Sequence, residues 1–238
     1  MINSFAIIIF AALIHASFQL SVSMLTLLSG HAIGSKTAHA KLLRLTNGFF
    51  FGVAVMTMLL LSFIALIFRH SFGTQVPLVA WAVGCGLLLG LGIAVWAFYY
   101  RREEGTSLWL PRGMARYLSE RTKATKQTAE AFGLGLSSVV AELIFIIAPM
   151  AITALVLIRL APLWQLAGIL AYTVISLLSL AIVNGLIGSG HKLSRIQKWR
   201  EDNKRFLQFA AGSGLLILGF YVYVDQVVSS TAFAYGGY

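Results

Sequence analysis

Six apolar stretches of about twenty residues or more alternate with polar segments that carry most of the charge. They run from Phe5 to Ser29, Asn47 to Phe68, Val76 to Tyr99, Ala131 to Ile158, Trp164 to Ile187 and Phe206 to Val228. At 1.5 Å of rise per residue, about 20 helical residues cross roughly 30 Å of hydrocarbon. A soluble core would disperse its apolar residues into amphipathic stripes instead. The pattern therefore predicts an all-α, polytopic integral membrane protein of about six transmembrane helices. The N-terminal Met1-Ile2-Asn3-Ser4 has no basic residue before the first apolar run, which is read as a retained span rather than a signal peptide.

Charge fixes an expected orientation. Sixteen of the eighteen lysines and arginines fall between spans one and two (Lys36, Lys41, Arg44), three and four (Arg101 to Lys126) and five and six (Lys192 to Arg205), leaving Arg69 and Arg159 elsewhere. By the positive-inside rule those three segments face the cytoplasm and both termini are external. Short loops and strong charge bias suit a bacterial inner membrane. The net charge of +10 is thereby explained as a topology signal, so the expected partner is the lipid bilayer and not nucleic acid.

Two of the basic segments have helical character. From Pro111, a good helix start, Met114, Tyr117 and Leu118 alternate with Arg112, Arg116 and Arg121 at near-helical spacing. This helix either lies at the headgroup boundary, its arginines on anionic lipid and Trp109 as an anchor, or is a solvated connector. Lys192 to Phe206 is similar: Leu193, Ile196 and Trp199 form one side, and Lys198 and Arg200 are candidates for anionic lipid. This segment is expected to lead into the sixth span.

The two halves resemble each other. Phe18-Gln-Leu-Ser-Val-Ser23 pairs with Phe132-Gly-Leu-Gly-Leu-Ser137, and Ala82-Val-Gly-Cys-Gly-Leu-Leu-Leu89 with Ala210-Ala-Gly-Ser-Gly-Leu-Leu-Ile217. Gly52, Thr57, Leu61 and Ala65 fall opposite Gly168, Thr173, Leu177 and Ala181. A three-span unit ends on the opposite side of the membrane from its start, so a second copy must be inverted. The expected organisation is two inverted three-helix repeats, residues 1–99 and 131–228, joined by a cytoplasmic basic linker at 100–130 and followed by an external tail at 229–238. Inverted repeats are a recurrent transporter plan, with the binding site near the midplane.

This 3+3 pattern with external termini resembles the superfamily of the LysE-type exporters and of CcdA with its relative, the DsbD membrane domain. In that comparison Leu28-Ser-Gly-His-Ala-Ile-Gly34 and Ala148-Pro149 stand where the first and fourth spans are broken. The resemblance implies alternating access. CcdA-type proteins carry a redox cysteine in each of those two spans. The single cysteine here, Cys85, is in the third span, so electron transfer does not follow. Cys85 is expected to be a packing residue.

Glu142 is the sharpest chemical signal. It lies well inside the fourth span, where a carboxylate costs about 2.5 to 3.5 kcal/mol on insertion scales. Either it serves a proton relay or cation site, or it is a hydrogen-bonded packing residue. In the first span His15, Gln19, Ser23 and Thr26 follow at spacings of four, four and three, a polar stripe that either lines a pathway or bonds neighbouring helices. Ser137 and Ser138 precede Glu142, and Pro149 either frees backbone carbonyls for a substrate or simply kinks the helix. Tyr172, Thr173, Ser176 and Ser179, with Asn184, are candidates to complete a polar cavity. Gly84, Gly86, Gly90 and Gly92 read as close-packing positions.

No catalytic triad, carboxylate pair or Cys/His ligand spacing is present, and His31 and His39 are too widely spaced for one metal face. Hence no enzyme activity, metal or cofactor is expected. The expected function is secondary transport or export of a small solute or ion through a midplane polar site. The alternatives are a non-transporting subunit or assembly factor of a larger complex, with a homo-oligomer or membrane protein as partner, and, more weakly, a thiol relay.

Overall fold

The computed structural model describes residues 1–18, 20–30, 36–98, 112–190 and 193–229. Its elements are α1 (Ile2–Ser17), α2 (Leu20–Gly30), α3 (Lys36–Phe72), α4 (Leu78–Phe98), α5 (Arg112–Ala124), α6 (Thr128–Leu157), α7 (Pro162–Ser176), α8 (Leu178–Gly188), α9 (Leu193–Asp202) and α10 (Lys204–Val222). A π-helical turn, Tyr223–Val228, continues α10. No strand occurs among the described residues. Four helices are long and apolar enough to cross a membrane, and two bent pairs raise the number to six if each pair is one span. Residues 230–238 of the tail expected to be external, Trp109, Pro111 and the first-to-second connection at 31–35 lie outside the described residues.

Of the two expected breaks, Leu28 to Gly34 runs from the end of α2 into residues outside the described ones. Two bends were not expected: the first apolar stretch bends by 43° between α1 and α2, and the fifth by 49° between α7 and α8. Neither bend has a glycine or proline. At each, a serine hydroxyl donates back to a carbonyl three residues earlier, Ser17 to Ile14 at 2.6 Å and Ser176 to Thr173 at 3.0 Å. Such bonds compete with the helical ladder. The next residue then leaves the regular helix: Phe18 is extended, with φ −74° and ψ 146°, and Leu177 sits at φ −87° and ψ −1°.

The expected break at Ala148-Pro149 is absent, because α6 runs unbroken through Pro149. An interior proline costs about 3 kcal/mol in an isolated helix. Helix α6 is the central element, with 78% of its most apolar 18-residue stretch buried, and its neighbours keep the helix continuous past the proline. It opens with a capping box in which Glu130 Oε2 accepts from the backbone N–H of Lys126 (2.7 Å) and Gln127 (3.1 Å). These two bonds, Lys126 first, hold the Glu130 carboxyl below its usual range. The basic stretch Lys36 to Arg44, expected as a loop, is instead the first turns of α3. It contains no glycine or proline to stop a helix.

Helix α3 packs along α6, α4 along α10, and α1 against α7, α6 and α10. The α3/α6 crossing is a backbone contact: a Cβ on Gly52 would stand 2.2 Å from the Phe132 carbonyl oxygen, and one on Gly135 2.3 Å from that of Phe49. At the α4/α10 crossing, Gly92 meets the Gly212 carbonyl oxygen. The four glycines expected to pack together in α4 divide by face: Gly84 and Gly92 are in contact, Gly86 and Gly90 face open space. The outer faces of α3, α4, α7 and α10 expose Phe51, Phe63, Val79, Ile93, Leu163, Val174, Phe206 and Phe220.

Candidate functional site

Both bends meet at Glu142. The carboxylate lies midway along α6 and is 2% exposed. Ser21, in the first turn of α2, donates its hydroxyl to Glu142 Oε2 at 2.8 Å. Ser138, one turn earlier on α6, has its Oγ 3.4 Å from that of Ser21 and donates at 2.8 Å to the Gly135 carbonyl. From the other bend, Ser176, Leu177, Ser179 and Leu180 close the same space, together with His15, Phe18, Val22 and Val53. The cavity is about 10 Å³, the room one water molecule needs. Phe18 stacks on Phe145 beside it, with ring centroids 5.7 Å apart.

His15 and Tyr172 form a second buried polar pair, their Nδ1 and phenolic oxygen sharing a hydrogen bond of 3.1 Å whose direction follows the imidazole tautomer. This pair ties α1 to α7 next to the cavity.

The remaining expected residues are dispersed. The stripe His15, Gln19, Ser23 and Thr26 assumed one continuous helix, and the bend after Ser17 breaks its register. Gln19 lies outside the described residues. Ser23 accepts a hydrogen bond from Arg200, and Thr26 donates to the Ser23 carbonyl at 2.8 Å. Ser137 does not reach Glu142: it donates to the Gly133 carbonyl at 3.0 Å and lines a groove with Tyr117, Arg121 and Glu130 between α5 and α6. Pro149 is seven residues beyond Glu142, about 10 Å along the axis, and is absent from the cavity wall. Thr173 donates to the Ile169 carbonyl at 2.8 Å. Asn184 donates to Asn47 Oδ1 at 2.9 Å, joining α8 to α3 rather than lining the cavity. Sequence reasoning missed Ser21, although it stands inside the repeat segment that begins at Phe18.

The basic helices are also placed differently. Helix α5 turns Leu118 and Thr122 inward, with Thr122 Oγ1 3.8 Å from Met24 Sδ of α2, so its apolar side covers protein rather than lipid. Arg116 and Arg121 are exposed, and the Arg121 guanidinium lies 6.0 Å from the Tyr117 ring centre. Arg112 begins α5, and its side chain lies outside the described residues. Helix α9 presents Ile196 and Arg200 inward, while Lys198 and Trp199 are exposed. Arg200 therefore is not a lipid contact. It is 3% exposed and donates from Nη2 to Ser23 Oγ at 2.7 Å. Helix α9 ends at Asp202, and Asn203 separates it from α10.

Cys85 is buried in α4, where Leu88 and Trp81 are buried with it. Among the described residues no group of three His, Cys, Asp or Glu could hold a metal ion.

No family model, curated protein or solved structure matches this chain.

Proposed function

We propose that the chain is a six-span integral membrane protein that moves a small solute or ion by alternating access, with Glu142 at its midplane site. One observation carries this reading. Two helices that bend without glycine or proline do so at one place, and the carboxylate buried in α6 lies between them. Transporter sites are typically built from discontinuous helices near the midplane. A carboxylate buried in an apolar helix is expensive unless it is used.

The exposed apolar faces of α3, α4, α7 and α10 supply the surface a bilayer would cover. The basic segments set the cytoplasmic side, with external termini, as in a bacterial inner membrane. A two-fold exchanging spans one and four, two and five, and three and six would turn the α1/α7 contact into the α6/α3 contact and map α4/α10 onto itself. Those pairings are the ones in the fold, and they support inverted repeats at 1–99 and 131–228 and the resemblance to the LysE and CcdA superfamily. With one cysteine in the sequence, a thiol relay has no internal partner. The small volume of the cavity favours a second reading, a non-transporting subunit, for which a stoichiometric partner through purification is the sign.

The test is flux across proteoliposomes holding an entrapped pH-sensitive dye, with gradients of a panel of small solutes and ions at several pH values. Glu142→Gln keeps volume and hydrogen bonding but cannot ionise. It should insert and fold, yet lose flux or its pH dependence. Unchanged flux and pH dependence would overturn the assignment.

A further inference from the structure

We propose that the chamber between the two bends binds one dehydrated monovalent cation of the alkali class, with the Glu142 carboxylate as counter-charge and serine oxygens as neutral ligands. This rests on the reading of Glu142 as the midplane site and names the ion it takes.

The argument begins with where the hydroxyl protons go. A serine has one proton to donate and two lone pairs. Of the serines lining the chamber, Ser21 gives its proton to Glu142 and Ser176 to the Thr173 carbonyl. Both oxygens are left with lone pairs and no proton to offer, and Ser179 adds a third hydroxyl oxygen. Among the described residues lining the chamber, the side-chain nitrogen group is that of His15, whose Nδ1 is engaged with Tyr172. Helices α1 and α7 both end here, and helix C-termini carry unsatisfied carbonyls and partial negative charge. Helices α2 and α8 begin at the same bends, but the charge of the Glu142 carboxylate would repel an anion, whereas a cation would meet that carboxylate and several oxygens. Helix C-terminal ends and unwound carbonyls coordinate monovalent ions in discontinuous-helix transporters.

Size and charge narrow the class. A cavity of about 10 Å³ takes one water-sized particle, so a hydrated ion or an organic solute does not fit. A single carboxylate neutralises one charge. A divalent ion is held by several carboxylates or keeps its waters, and neither is provided.

The experiment is thermal melting of the purified protein in detergent at fixed pH and constant ionic strength, with choline chloride replaced stepwise by sodium, lithium or potassium chloride. Binding to the folded state predicts a rise in melting temperature that grows with the logarithm of ion concentration above saturation. The rise should be lost in Glu142→Gln, and in Ser176→Ala it should need on the order of tenfold more ion, as expected for about 1.4 kcal/mol of lost ligation. If Glu142→Gln fails to fold, Ser176→Ala carries the test. A melting temperature indifferent to all three ions, or an equal rise in both variants, would overturn the proposal. A wild-type protein indifferent to alkali ions but showing Glu142-dependent proton flux would overturn it too, while leaving the transport reading intact. Absence of every flux together with ion-dependent melting would support the cation and remove the transporter.

Discussion

The crossing of α3 and α6 offers a direct test of the packing that holds Glu142 in place. In Gly135→Ala the new Cβ would stand 2.3 Å from the Phe49 carbonyl oxygen, 2.9 Å from the Val53 nitrogen and 3.1 Å from Gly52 Cα. Ordinary contact begins at 3.4 Å, so the helices must part by about 1 Å, since every obstructing atom is backbone. A gap of 0.5 to 1 Å forfeits a quarter to a half of each dispersion contact it opens, and overpacking of this kind costs about 1 to 3 kcal/mol. Alanine returns up to about 1 kcal/mol of helix propensity, so the net effect remains destabilising. Gly52→Ala meets the same crossing from the other side and should cost a similar amount. The double variant should cost clearly less than the sum, because the first Cβ has already separated the helices. Gly86→Ala and Gly90→Ala, which face open space, are the controls and should be neutral or slightly stabilising. Equilibrium unfolding of the purified protein by graded denaturing detergent measures all five. If Gly135→Ala behaves like Gly86→Ala, or the two crossing variants are additive, the close approach of α3 to α6 is refuted.

Two further outcomes follow from single contacts. Arg200→Met keeps the aliphatic stem but removes the bond to Ser23; at about 1.5 to 3 kcal/mol for a charged hydrogen bond, it should lower stability and speed hydrogen exchange of the α2 amides, and unchanged exchange would contradict the inward placement of Arg200. Glu130 is held below its usual carboxyl range by the Lys126 and Gln127 N–H groups, so its contribution is fully present above the unfolded value of about 4.3 and is lost as pH falls through the lower folded value. Wild type should therefore melt above Glu130→Gln at neutral pH, and the difference should shrink on acidification below that unfolded value; a constant difference across that range would argue against a charged cap.

The long apolar helices were legible because some twenty consecutive apolar residues are a length that short-range chance does not imitate. The bends were not. Sequence reading looks for glycine and proline, and so placed a break at Pro149, where the buried α6 runs on unbroken, and missed Ser17 and Ser176, which act through bonds to their own backbone. The same difficulty explains Arg200. Arginine in a basic segment reads as exposed, yet it stands four residues after Ile196 and so shares the inward face of α9. Glu142 was legible for the opposite reason: no local pattern offers an apolar helix an inexpensive way to bury a carboxylate.

The bend after Ser17 has one more consequence, carried by helix geometry. Ser21 and Ser23 are two residues apart and so project about 200° from each other around α2. Ser21 faces Glu142 of α6 and Ser23 faces Arg200 of α9. One short helix thus stands between a buried carboxylate in a span and a buried guanidinium in a basic helix, touching each through a hydroxyl. A rotation of α2 by a single residue, about 100°, would withdraw Ser21 from the carboxylate and Ser23 from the guanidinium together. The position of α2 is therefore set jointly by Glu142 of α6 and by α9, and any displacement of one contact is transmitted to the other through three residues of backbone.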